Sequence, residues 1–255
     1  MRFPTDTSDK NGNKGGGAGG TTFPRNKIDI KNIINTVDIL YKMSTVSSRI
    51  ISIYKSRNTI LELLDTQEYN TDDYMGFSIN EIDAMLTNSQ LDMLLTHKTD
   101  ERKVYVKYYF TSKQTTRQIK PQVLDDIIED LYSIEEILTK KDTLIIIIDD
   151  EPNDTILAKM KYLYDHDGIF VVLHNIQRLQ FNILKHTLVP NISILSDTEV
   201  DEVKKKFNFK DLSQLPEISR FDPQALVIGL RPGQICKIDR DSVTAMDYSY
   251  YRVCL

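Results

Sequence analysis

The sequence predicts an α+β protein: an α/β domain over residues 26–175, then a smaller mixed α/β domain over 176–255 that ends in a β-meander. Three observations carry this expectation. The runs "TLIIIID" (143–149) and "IFVVL" (169–173) are apolar on both faces, and a helical stretch separates them. That is the pattern of two covered parallel strands joined by a right-handed crossover. Apolar residues recurring at three- and four-residue steps mark further helices upstream. After Asn175 the texture changes to short apolar pieces broken by prolines, and strand-like runs follow Gly229 and Gly233, which bracket an Arg-Pro pair.

Taken in order, residues 1–25 are polar and glycine-rich, too poor in apolar groups to offset the entropy of ordering, and read as a disordered tail. No Lys-Ser or Lys-Thr follows their glycines, so they form a flexible linker and not a phosphate loop. Ile30, Ile33, Ile34, Val37 and Leu40 describe an amphipathic helix. A second begins near Ser44 or Thr45 and carries Ile50, Ile53, Tyr54, Ile60, Leu61 and Leu64. Ser78 and Glu81 have capping-box spacing. "VYVKYYF" (104–110) is a strand. Pro121 opens a helix with a stripe of Val123, Leu124, Ile127, Ile128, Leu131, Ile134, Ile137 and Leu138. The crossover helix runs from Asp154 to His166 and stops at Gly168. "SDTEVDEVKKKF" (196–207) is a short helix with an acidic first turn and a basic last turn. "LPEISRFDP" is an extended connector, and "QICKI" and "YSYYRVC" are strands.

The chain has 255 residues, 40% of them hydrophobic and 27% charged, enough to bury a core. No apolar run reaches the length of a membrane helix, and the N-terminal stretch has no apolar segment of a secretory signal. Cys236 and Cys254, with four scattered histidines, give no zinc spacing. Two buried thiols are expected, although a disulfide between neighbouring strands also fits. A net charge of −5 argues against a free-standing protein that coats nucleic acid, but not against one local basic patch.

Candidate chemistry is sparse. "LIIIIDDE" looks like a strand carrying a magnesium carboxylate, yet no phosphate-cradling loop accompanies it, so it reads as a buried strand entering an acidic turn. Glu101-Arg102-Lys103 has the Glu-x-Lys spacing of metal-dependent nucleases. Such a site also needs an aspartate at the end of a neighbouring strand, and Asp83 and Asp92 lie in helical or irregular surroundings. The histidines 97, 166, 174 and 186 have no nucleophile beside them. The remaining feature is basic: Lys98, Arg102, Lys103, Lys107, Lys113, Arg117 and Lys120, set among small hydroxyl residues, against only Asp100 and Glu101. Side chains of this kind contact phosphates without reading bases. They equally suit a surface loop neutralised by Asp125, Asp126, Glu129 and Asp130 of the next helix.

The C-terminal wording is more specific. "NILKHTLVPNISIL", "QLPEISRFDPQALVIGLRPGQICKIDRDSVTA" and "YSYYRV" resemble the shared fifth subunit of eukaryotic RNA polymerases and its smaller archaeal counterpart. The matching positions are His186, Leu188, Val189, Pro190, Gln214, Leu215, Pro216 and Ile218. They continue through Asp222, Pro223, Gly229, Leu230, Gly233, Gln234, Arg240, Ser242, Thr244, Ala245, Tyr251 and Arg252. Where that family often has His, Arg, Pro and Gly-Arg, this chain has Ile192, Glu217, Asp241 and Met246-Asp247. Glu217 implies an altered charge at the partner surface.

The resemblance implies a noncatalytic subunit of a multisubunit DNA-directed RNA polymerase, with no metal, cofactor, small-molecule substrate or membrane. Its C-terminal assembly domain would dock on the largest subunit, beside neighbouring subunits. Its N-terminal domain would be a jaw with a restriction-endonuclease-like fold, framing downstream duplex DNA through weak, non-specific contacts. That domain is absent from the archaeal counterpart, so the chain is of the eukaryotic type. Its Ile-, Asn- and Lys-rich divergence suits a large DNA virus of eukaryotes. The protein is then expected inside cells: in the virion and host cytoplasm if viral, in the nucleus if cellular. The rival readings are a metal-dependent nuclease on the same α/β domain and a free-standing DNA-binding transcription factor.

Overall fold

The computed structural model describes the backbone of residues 30–110, 119–242 and 246–255, and side chains within 48–110, 119–240 and 248–255. The expected tail (1–25), Lys113, Arg117 and Thr244 lie outside the described residues. Contacts divide the chain after Met43, and both sheets belong to the unit Ser44–Leu255.

α1 spans Ile30–Thr66 without a break, where the sequence suggested two helices. Nothing between Leu40 and Ser47 stops a helix: the stretch holds no glycine or proline, and Ser44 and Thr45 are tolerated inside one. α2 (Ile79–Thr87) starts as expected. Ser78 accepts from Glu81 N, and the Glu81 carboxylate accepts in turn from Ser78 N at 2.7 Å. Those contacts hold the Glu81 carboxyl below its usual pKa.

The first sheet has the order β1-β2-β3-β4: β1 (Met93–Thr96), β2 (Lys103–Tyr108), β3 (Thr143–Ile148) and β4 (Phe170–Asn175). β1 pairs antiparallel with β2, while β2–β3 and β3–β4 are parallel. The apolar run of β3 is buried throughout, and its period-two alternation divides it between two cores. Ile145 and Ile147 face Ile53, Ile60, Leu61 and Leu64 of α1. Leu144, Ile146 and Ile148 face α3 (Pro121–Ile128) and α4 (Asp154–Tyr162) through Leu124, Ile127, Ile156 and Met160. Helices therefore cover both faces, as continuous apolar strands require.

The stripe after Pro121 departs from expectation at Ile134, which is 68% exposed. α3 loosens into a π-type turn over Glu129–Ile134, so the 3.6-residue repeat no longer holds there. α4 also ends in a π-type turn, closed by Gly168 at φ 73°.

The second sheet has the order β5-β7-β8-β6: β5 (Asn191–Ile194), β6 (Glu217–Ile218), β7 (Ile235–Ser242) and β8 (Met246–Cys254). β7 and β8 form the terminal hairpin, flanked by antiparallel β5 and by parallel β6. β6 arises within the expected connector. α5 (Asp197–Phe207) packs Val203 against Ile235 on one face. α6 (Pro223–Ile228) packs Ala225 against Cys236, Ile238 and Cys254 on the other. α6 was not foreseen, because "ALVI" reads as a strand; the turn capped by Asp222 makes it helical.

Candidate partner and nucleic-acid interface

The residues of the C-terminal motif sort by what they touch. One group builds the turns. Asp222 caps α6, its carboxylate accepting from Gln224 N at 2.9 Å, and Pro223 occupies the first turn, where a missing N–H costs nothing. Gly229 closes α6 at φ 66°, a left-handed conformation open to glycine. Gly233, at φ 86°, donates its N–H to the Cys254 carbonyl at 2.9 Å. The carbonyl of Pro216 accepts from Val253 N, and Arg252 Nη1 donates to the Glu217 carbonyl, both at 2.9 Å, fixing β6 beside β8. Tyr251 packs against Phe207 of α5, the rings tilted by 59° with centroids 5.5 Å apart. Pro190, half-buried, directly precedes β5.

A second group faces solvent. His186 is exposed, and its Nδ1 accepts from Leu188 N at 3.2 Å. Arg240 on β7 is exposed and lies directly across from Tyr248, and Tyr250 lies across from Ile238. Tyr248 and Tyr250 are 50% and 40% exposed and meet edge-to-face at 4.5 Å. By register they share the face that α6 covers nearer Cys236, but they extend past it. The backbone of Ser242 pairs with Met246 at the end of the hairpin. Cys236 and Cys254 are buried free thiols, and burial pushes the Cys254 thiol up to about 11.

The basic patch is divided and partly neutralised. Lys98 pairs with Asp65 at 2.8 Å, Arg102 with Asp100 at 2.6 Å and Lys107 with Asp92 at 3.1 Å. Lys98 and Arg102 flank the β1–β2 turn, whereas Lys107 lies at the far end of β2. Lys120 is exposed at the start of α3. Asp125 of α3 pairs with Lys159 of α4 at 2.8 Å. Sequence reasoning missed Lys140 and Lys141, which the β2–β3 pairing brings beside Arg102 and Lys103. Together with Thr96, Thr99 and Thr139 they line a cleft of about 1330 Å³. Asp142, also in its wall, is committed internally: it accepts from Lys103 N at 2.6 Å and from Thr139 N and Oγ1 at 2.7 Å. The only signal in the sequence was a Lys-Lys pair shortly before a buried strand.

The nuclease constellation does not assemble. Glu101 sits in the β1–β2 turn, while Asp92 precedes the other end of β1. Asp92 is occupied by Lys107, the Tyr105 hydroxyl at 3.2 Å and Tyr108 N at 3.0 Å. Asp83 lies exposed on α2. In the acidic turn after β3, Asp149 pairs with Arg49 at 3.0 Å, and Glu151 takes both Nε and Nη2 of Arg178. Among the described residues, no group of His, Cys, Asp and Glu is placed to hold a metal ion.

The chain thus carries a terminal hairpin fixed by turn-building residues, with Arg240, Tyr248 and Tyr250 displayed to solvent. Comparison with known proteins places it more closely. The family described as RNA polymerase Rpb5, C-terminal domain, matches residues 181–254. The chain is 45% identical over 74 residues to "DNA-directed RNA polymerase subunit Rpo5" of Thermococcus kodakarensis, covering 29% of this chain and 89% of that protein. It is 31% identical over 202 residues to "DNA-directed RNA polymerases I, II, and III subunit rpabc1" of Dictyostelium discoideum, covering 78% of this chain and 95% of that one. With RPABC1 of Caenorhabditis elegans it shares 44% identity over 75 residues, 29% of this chain and 35% of that protein. The chain belongs to the Rpb5/Rpo5 family of RNA polymerase subunits, which are noncatalytic components of that enzyme.

Proposed function

We propose that the chain is an assembly subunit of a multisubunit DNA-directed RNA polymerase. Residues 176–255 dock on the largest subunit, and residues 26–175 act as a jaw that frames downstream duplex DNA. The observation that carries the docking half is the displayed face of the terminal hairpin, Arg240 with Tyr248 and Tyr250, within the region the family covers. Tyrosine and arginine are enriched at protein interfaces because each joins apolar area to a polar tip. His186, Pro190, Pro216, Asp222, Pro223, Gly229, Gly233, Ser242, Tyr251 and Arg252 hold that face in shape or extend it, and Thr244, outside the described residues, belongs to the same motif. For the jaw, the cleft with Lys103, Lys140 and Lys141 is better placed for phosphates than Lys98, Arg102 or Lys107, whose charges are already paired. Lys113, Arg117 and Lys120 complete the candidate set. The protein then acts inside the cell, in the virion and host cytoplasm if its origin is viral.

The test separates the two halves. Arg240→Glu with Tyr250→Ala changes only exposed side chains and leaves the strands paired. Co-purification with the largest subunit should fall at least tenfold while the circular-dichroism spectrum is unchanged; undiminished co-purification sinks the docking surface. Lys103→Glu with Lys141→Glu should instead leave assembly intact and reduce the salt dependence of downstream-DNA retention.

A further inference from the structure

Between the two sheets lies a cavity of about 660 Å³, with residues of both in its wall. Part of that wall is core: Leu64, Ile145, Val172 and Val227 belong to the cluster between α1 and the first sheet. The rest is polar and short of acceptors. Arg231, half-buried, has no carboxylate partner among the described residues. Its three side-chain hydrogen bonds all leave from Nη2, to the Lys141 and Asp142 carbonyls and to Thr143 Oγ1. Nε and Nη1 are left for another partner. Burial holds the Arg231 pKa below its ordinary value, and Arg102 pushes the same way. A partly desolvated guanidinium without a counter-charge is costly.

His97, in the same wall, shows the same shortage. Its Nδ1 accepts from Thr99 N and Asp100 N at 3.4 and 3.2 Å, which assigns the proton of the neutral ring to Nε2. Nε2 in turn lies 3.4 Å from Arg102 Nη2, so a donor faces a donor. Tyr69 stands at this end too: burial raises the pKa of its hydroxyl, while Arg102 and Arg231 both act to lower it. The carboxylates here are spent. Asp100 neutralises Arg102 at 2.6 Å, and Asp142 accepts from Lys103 N and from Thr139. Glu68, also in the wall, is exposed and acts on Lys98. One uncompensated cation remains, beside neutral donors and apolar wall.

We infer that this cavity binds a small monocarboxylate with an apolar body. Its single negative charge matches the single free guanidinium, whereas a phosphate brings a second charge with no cation to meet it. The carboxylate oxygens accept from Arg231 and from His97 Nε2, and the body lies against Leu64, Val172 and Val227. The walls come from both sheets of this one chain, so the occupant is a free small molecule, for which a volume of this size is ordinary.

The test titrates the full chain with benzoate and with benzamide, which keeps the shape and loses the charge, following backbone and imidazole NMR shifts. Benzoate should saturate at Tyr69, His97 and Arg231. Benzamide should bind about tenfold more weakly, the worth of a hydrogen bond to a charged group. Arg231→Gln should abolish that preference. His97→Phe, which leaves Arg231 and the seam in place, should weaken benzoate about fivefold, the worth of one neutral hydrogen bond. Lys103→Glu with Lys141→Glu, in the outer cleft, should leave benzoate binding unchanged. Equal binding of the two probes overturns the proposal, as does undiminished benzoate affinity in His97→Phe. A loss in the lysine variant matching that in Arg231→Gln would put the anion in the outer cleft and overturn it too. Benzoate should also bind the assembled polymerase with the same affinity. Occlusion on assembly would give the site to another subunit's carboxylate and overturn the free ligand.

Discussion

Two four-stranded sheets lie within one unit of this chain, and they use their faces differently. The first buries both: β3 and β4 are covered throughout, with α1 on one side and α3 and α4 on the other. The second buries one face under α5 and only part of the other under α6, leaving Arg240, Tyr248 and Tyr250 in solvent. The family match at residues 181–254 falls on the second sheet. The physical reason lies in what each position demands. A strand covered on both sides must be apolar and of about the right volume, which many sequences satisfy. A residue that caps a helix, adopts a positive φ or meets another chain is constrained in identity. So "LIIII"-like runs specify a fold class, while Asp222, Pro223, Gly229 and Gly233 specify a family.

The seam between the sheets is where this contrast can be broken. Arg231, from the turn before β7, reaches across to the start of β3 in the first sheet. Its Nη2 donates to the carbonyls of Lys141 and Asp142 at 2.7 and 3.2 Å and to Thr143 Oγ1 at 3.0 Å, and its guanidinium stacks on Phe170 at 5.0 Å. Arg220 stacks on Tyr164 and Phe170 from nearby, at 5.0 and 5.6 Å. Truncating a half-buried charged donor costs about 3 kcal/mol. Arg231→Ala should lower stability by that amount and split urea unfolding into two transitions, the second sheet melting first. A single transition of unchanged midpoint would mean that Val227, inserted from α6 into the first core, carries the coupling alone.

Acid should separate the regions next. His174 is buried neutral in the first sheet with a pKa near 4, against about 6.5 in an unfolded chain. Between those values the unfolded chain binds a proton that the folded one refuses, so stability is full above about pH 6.5 and declines as pH falls toward 4. From pH 7 to pH 5 the loss should be about 2 kcal/mol. In His174→Phe the urea midpoint should be nearly flat over that window. An equally steep decline in the variant would assign the effect to other groups.

How much was legible follows the same division. The β3–α4–β4 unit was readable because nothing but a covered parallel pair accommodates those apolar runs. β1 was not, since "MLLT" is too short to show a period and becomes a strand only by pairing with β2. α6 was hidden by the strand-like "ALVI", although Asp222 and Pro223 before it and Gly229 after it form a helix start and stop. At the candidate site, the turn-building residues were legible as motif, because a motif records local geometry. The cleft at Lys140 and Lys141 was not, because it comes from strand pairing and no local pattern encodes it. The Glu-x-Lys spacing at Glu101 is limited in the same way: proximity in sequence does not reveal which end of a hairpin an aspartate occupies.

The smallest predicted effect gives the sharpest comparison, because it sets two glycines of one motif against each other. Gly229 and Gly233 both have positive φ, so alanine is strained at either, at about 1 kcal/mol. Their surroundings differ. A Cβ at Gly233 meets nothing within 4 Å, whereas one at Gly229 lies 3.4 Å from Gln67 Oε1. Gln67 opens the turn after α1, and its Nε2 donates to the Val227 carbonyl at 2.8 Å, tying α1 to α6. Gly233→Ala should therefore cost only the backbone strain. Gly229→Ala should cost about twice as much, since it also presses on the contact across the seam. Asparagine, which tolerates the left-handed region, should recover most of the loss at Gly233 but less at Gly229, where its larger side chain still meets Gln67. Equal costs at the two positions, measured by urea denaturation, would mean that Gln67 yields freely. The seam would then rest on Arg231 and Val227.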